Sequence, residues 1–187
     1  MSYTQAEKLQ IMMLCDIYKA LEIKNNLDPD IIEEAVSSDN TWAIGWKYQS
    51  LHDGSETPEH VKLFVDTVDM YNILKYTYGY FTDDEKAEIS AAVPHFGGIK
   101  HLEFPGFDGN NESEYLSVGY MLKLMGSFVG THLTKNSHMP SVEIYRRMLD
   151  VFLPARDGDW THEAGISKES FIAVLKARIH PSRRDAE

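Results

Sequence analysis

The chain has 187 residues and a formal net charge of −11, from 29 acidic against 18 basic side chains. A surface that tracks phosphates needs clustered Lys and Arg, so this balance disfavours nucleic acid as a partner. The one basic cluster, "KARIHPSRR", is followed at once by "DAE".

The length suits a single domain over 1–187, with about 181–187 expected to form a loosely held tail. A lone cysteine, Cys15, excludes an internal disulfide and fits a reducing compartment. No basic segment followed by an apolar stretch and a small-residue cleavage site opens the chain, and the expected location is cytoplasmic.

Helix starts are legible in chain order. "TQAE" is a capping box of Thr4 and Glu7 that opens a helix to about Ile23, with Leu9, Met12, Met13, Ile17, Ala20 and Leu21 on one face. Cys15 sits among Met12, Met13, Leu14 and Ile17, the setting of a buried, inert thiol. "LDPDIIEE" places Asp28 as cap and Pro29 at the first helical position of a second helix. A third, shorter helix carries Trp42, Trp46 and Tyr48 before "HDGS" breaks it.

Thr57 and Pro58 repeat the cap-then-proline device and open a helix to about Tyr80. It is apolar over most of its circumference, which places it inside the domain. "TDDE", Thr82 to Glu85, caps a short helix that ends before Pro94. From about 94 to 110 proline, glycines and aromatics follow no period, and an irregular segment lying on the body is expected.

Asn111 and Glu114 are read as the cap of the next helix, a buried central one over about 112–133. Its run Tyr115 to Leu133 holds a single formal charge, Lys123, in 19 residues. That length could span a bilayer, but the lysine lies mid-run, His132 and three glycines dilute it, and no basic anchors flank it. A core helix is the better reading, and no membrane is expected. Gly126 and Gly130 share a face of it, which would let another helix approach closely.

Pro140 starts a helix to Leu153 with Val142, Tyr145, Met148, Leu149 and Phe152 inward. Ser167 caps a last one carrying Phe171, Val174, Leu175 and Ile179. Alternating apolar-polar strands are nearly absent. The fold class is all-α, a bundle of about seven or eight helices.

Two runs stand out for chemistry, "FPGFDGNNESEYL" (104–116) and "NSHMPSVEIYRRML" (136–149). The first tempts a calcium reading through Asp108, Asn110 and Glu112. An EF-hand loop started there needs glycine sixth and glutamate twelfth, where this chain has Ser113 and Gly119. The eight histidines form no HExxH or paired-ligand spacing, and there is no CxxC, so no metal site is expected. Nucleophile-elbow, Walker and dinucleotide motifs are absent too, and no cofactor is expected.

The structural reading makes Asp108-Gly109 a turn, Asn111 a helix cap, Ser137 or a neighbouring polar residue the cap near Pro140, and Glu143–Arg147 an i,i+4 ion pair. The competing reading brings Asp108, Asn110, Asn111, His138, Arg146 and Arg147 into one cleft walled by Phe107 and Tyr145. That cleft would be a small-molecule or anion site, with or without enzymatic chemistry.

These two runs together resemble the YfbU family. "EKLQIMMLCDIYKAL" and "VDTVDMYNILKYTY" are similar to its other segments, so the likeness spans roughly Thr4 to Ile179. The chain departs from the pattern between Gly79 and Glu103, longer here than usual, and in "PARDGDWTHEAG". The resemblance implies a multihelical, bacterial, cytoplasmic protein that self-associates, and it brings no catalytic residues. With the abundant aromatics, it favours a non-enzymatic homo-oligomer, dimer or higher, acting through protein contacts.

Overall fold

The computed structural model describes residues 3–180 and 182. The tail expected at about 181–187 falls, Ser182 apart, outside the described residues. Eight α-helices are found among the described residues, in an all-α arrangement: α1 (Gln5–Ala20), α2 (Pro29–Ser37), α3 (Trp42–Lys47), α4 (Glu59–Tyr80), α5 (Asp83–Ala92), α6 (Ser113–Leu124), α7 (Val142–Asp159) and α8 (Lys168–Ala177). Short 3-10 turns occupy Gln49–Leu51 and Gly98–Leu102.

Most starts follow from local chemistry. Both capping boxes form, Thr4 with Glu7 and Thr82 with Glu85, each threonine oxygen accepting from the glutamate N–H while the carboxylate accepts at the cap. Asp28 accepts from the N–H groups of Asp30 and Ile31, with Pro29 in the first turn. Ser167 accepts from Ser170 N–H. At α4 the expected cap is displaced: Pro58 holds the cap position, and the Thr57 hydroxyl instead accepts from the indole N–H of Trp46.

α4 is the axis of the main core. Its Val61, Phe64, Val68, Tyr71 and Leu74 are buried against Tyr145, Met148 and Phe152 of α7, Phe171 and Val174 of α8, and Val118 and Leu122 of α6. The irregular segment adds Phe104 and Phe107. The Phe107 ring stacks on Tyr115 at 4.3 Å and meets Tyr145 edge-on at 5.1 Å. A smaller core joins Ile31 and Ala35 of α2 to Ala43 of α3 and Met121 of α6. Arg156 of α7 bridges Asp66 and Asp69 of α4 at 3.1 and 3.4 Å.

Two expectations are corrected. α6 stops at Leu124, not near Leu133. Gly126, at φ +77°, ends it in a Schellman motif, in which Ser127 N–H donates to Leu122 and Gly126 N–H to Lys123. Gly126 and Gly130 therefore lie outside the helix, with open space where a Cβ would point. The close approach is at Gly119, where a Cβ would come within 2.3 Å of the Leu133 carbonyl. α7 continues past Leu153 through Pro154 to Asp159, at the cost of the hydrogen bond that residue 154 would donate to Asp150.

On α1 the structure adds what the sequence left open. The apolar face of this helix is real but uncovered: Leu9, Met13, Leu14, Ile17 and Leu21 are 52–67% exposed. Cys15 is the buried residue of this helix, and burial pushes its thiol up.

Candidate functional site

The two distinctive runs meet. Phe107 N–H donates to Lys135 and Ser137 N–H to Phe107, a short parallel bridge. Gly106, at φ +88°, permits it, since a Cβ there would fall 1.9 Å from the Lys135 carbonyl oxygen. Asn136 continues the seam, its side-chain oxygen accepting from Gly109 N–H at 3.0 Å and His138 N–H at 2.8 Å.

At the centre of the junction is Glu112, a carboxylate only 7% exposed. One oxygen accepts from the N–H groups of Ser141 and Val142, at 2.7 and 2.9 Å. The other accepts from Asp108 N–H at 2.9 Å and the Ser141 hydroxyl at 2.7 Å. Burial alone would raise its carboxyl; the donors from Val142, Asp108 and Ser141 outweigh that and hold it below its ordinary value. Glu112 is thus the cap of α7, supplied by another helix start, with the positive end of α7 facing a negative charge. At α7 the cap position is held by Ser141, a polar neighbour of Pro140, while the capping acceptor comes from Glu112. Asn111 does not cap α6, whose cap position is Glu112 itself, and the Ser137 hydroxyl donates to the Met139 carbonyl.

Asp108 is buried at the turn. Its oxygens accept from the Asn111 amide at 2.5 Å and from Asn110 N–H at 3.1 Å. Those two donors, with His138 nearby, hold its carboxyl low. The Tyr145 hydroxyl donates to the Gly106 carbonyl at 2.6 Å. Asn110 and Asn111 are exposed at the turn, and His138 sits exposed in a left-handed conformation, φ +55°. The proposed walls, Phe107 and Tyr145, are core residues.

The arginines face elsewhere. Arg146 pairs with Glu143 at 2.8 Å, three residues away, in place of the expected Glu143–Arg147 pair. Arg147 donates to the backbone carbonyls of Glu143 and Arg178, tying α7 to the end of α8. Both line an open groove of about 730 Å³ between α4 and α7, which His60, Lys62 and Tyr115 also border. So the structure brings Asp108, Asn110 and Asn111 together in one turn, near His138. It places Tyr145 behind them in the core and sends Arg146 and Arg147 to another face.

What the sequence reading missed is Glu112 as the hub, Asn136 as the second clamp, and the surface offered by α1. Beside that helix lies an apolar groove of about 210 Å³, lined by Ile11, Leu14, Cys15, Tyr18, Leu27 and Ile32 among others. Among the described residues no helix is long and apolar enough to cross a membrane, and no cluster of three or more His, Cys, Asp or Glu is arranged to hold a metal.

Comparison with known proteins adds two findings. A family model described as the YfbU domain matches residues 1–168. The chain is also similar to the UPF0304 protein MJECS11 of Methanocaldococcus jannaschii, 25% identical over 183 residues that cover 91% of this chain and 98% of that protein. That relative is archaeal, so the bacterial range implied by the resemblance is too narrow.

Proposed function

This chain belongs to the YfbU family, and from that premise we propose that it is a self-associating helical protein whose α1 forms the seam between copies. The observation that carries this reading is the uncovered face of α1. Leu9, Met13, Ile17 and Leu21 recur every four residues as one ridge, and Leu14 lies beside it. Together the five side chains offer on the order of 500 Å² of apolar surface, against roughly 800 Å² per partner in a standard interface. The largest apolar patch on a folded monomer is about 300–600 Å² and is often a functional surface.

The occupant that fits is a second copy. A ridge of i±4 positions packs well against another of the same kind, and in an antiparallel crossing about Met13, Leu9 of one copy faces Ile17 of the other. The apolar groove beside α1 adjoins the ridge through Leu14 and would accept an aliphatic side chain from the partner. The non-enzymatic side of the reading is supported by Glu112, Asp108 and Tyr145, whose polar atoms are engaged in holding the two runs together. Light scattering on the native chain and on a Met13→Glu, Ile17→Glu variant tests the proposal.

A further inference from the structure

Asp–Gly occurs three times in the chain, at 53–54, 108–109 and 157–158. In this pair an aspartyl side chain closes most easily on its own backbone. Glycine puts no Cβ beside the attacking nitrogen and turns freely about φ and ψ. The fold separates the three pairs by what surrounds them.

Asp108–Gly109 is shut in. Asp108 is 2% exposed and its oxygens are taken by Asn110 and Asn111. Gly109 N–H donates to Asn136, whose side chain lies where a Cβ would come. Asp157–Gly158 belongs to the last turn of α7, where helical backbone holds both residues and Arg156 Nε pairs with the carboxylate at 3.4 Å. Asp53–Gly54 lies in the loop between α3 and α4, which is exposed from Leu51 to Glu56. Gly54 is at φ +78°, with nothing within 4 Å of where a Cβ would sit.

The bonds inside this loop bear on the reaction. Ser55 donates to one oxygen of Asp53 from its hydroxyl at 2.5 Å and from its N–H at 3.0 Å. That keeps the carboxyl beside the intervening Gly54 peptide and holds it low in the carboxylate range. The Gly54 N–H donates to His52 Nδ1 at 3.0 Å, so a base already faces the proton that this nitrogen must lose.

We propose that Asp53–Gly54 is a site of spontaneous covalent modification, at which the chain converts aspartate to isoaspartate. The Gly54 nitrogen attacks Cγ of the protonated Asp53 carboxyl and gives up its proton. A carboxyl oxygen leaves as water, and a five-membered succinimide is closed. Solvent water then opens the ring. Cleaving the new bond from Cγ to nitrogen returns aspartate; cleaving the original peptide bond leaves isoaspartate, whose backbone runs through Cβ and Cγ and is one atom longer. One water leaves and one enters, so the product is an isomer and no other reactant is needed. Ser55 is the brake, because an ionised carboxylate has no hydroxyl to lose.

The test incubates the full chain for several weeks at neutral pH and physiological temperature. It is then digested with endoproteinase Asp-N, which cuts before aspartate but not before isoaspartate, and the fragments are sequenced by electron-transfer mass spectrometry. Isoaspartate is expected at 53 and at neither 108 nor 157. In a Ser55→Ala variant, altered at an exposed position, it should accumulate at least threefold faster. Three results would overturn the proposal: no isoaspartate at 53 over a period in which a free peptide of residues 50–57 forms it, as much at 108 or 157 as at 53, or a Ser55→Ala rate equal to the native one.

Discussion

The carboxylate of Glu112 accepts from Ser141 twice, from its backbone N–H and from its hydroxyl, each at 2.7 Å and across 29 positions of sequence. With Val142 and Asp108 as further donors, one side chain closes the start of α7 onto the turn that precedes α6. Removing it strands three N–H groups at once, two of them buried and the third partly so. Glu112→Ala should therefore cost about 3 kcal/mol or more, the scale of losing several charge-assisted bonds. Asn111→Ala, which removes one bond between exposed and buried turn atoms, should cost less than about 1 kcal/mol. Urea unfolding of both variants checks the order; equal costs would contradict it.

The same carboxylate should leave a mark on the acid limb of stability. Its folded pKa is lowered, so the folded state holds fewer protons than the unfolded chain through the carboxylate range. The stabilisation is complete above the unfolded value, about 4.3, and is lost as pH falls through the folded one. Glu112→Gln should thus lose stability at neutral pH and show a shallower decline on acidification than the native chain. Parallel pH profiles would show that Glu112 contributes no such linkage.

Glycine positions separate two kinds of constraint. Gly119→Ala gains helix propensity, yet its Cβ would press on the Leu133 carbonyl, so a net loss of about 2 kcal/mol or more is expected. Gly126→Ala meets nothing within reach but must hold φ +77°, a strain of about 1 kcal/mol. Thermal melts of the pair read the difference. A stabilised Gly119→Ala would mean that the 131–135 segment does not lie against α6 as described.

Tyr71 is fully buried, touches Phe104 and Tyr145 edge-on, and among the described residues its hydroxyl has no hydrogen-bond partner; burial pushes its ionisation up to about 12. Tyr71→Phe removes that hydroxyl and keeps the ring. Stability should be unchanged or higher by up to about 1 kcal/mol. A loss of that size would reveal a partner for the hydroxyl.

Local chemistry made much of the fold legible. Thr4, Thr82, Asp28 and Ser167 cap helices within three residues of themselves, so their roles can be read from the string. Glu112 could not be found that way, because its donors at Ser141 and Val142 are 29 and 30 residues distant. Asn111 looked like a cap because its residue type and position suit one, but the cap position of α6 is Glu112, whose side chain serves α7 instead. The end of α6 was hidden by an apolar run that continues through the Schellman turn, where Gly126 serves conformation rather than packing. On α1 the spacing of Leu9, Met13, Ile17 and Leu21 told which face is apolar. It could not tell that, among the described residues, nothing covers that face.

That uncovered face is where the account is most directly exposed. Light scattering over a wide concentration range should give a dimer or larger species for the native chain. The Met13→Glu, Ile17→Glu variant, altered only at exposed positions, should be a monomer with unchanged helical circular dichroism. A native chain that stays monomeric throughout, or a variant that associates as the native chain does, would contradict it.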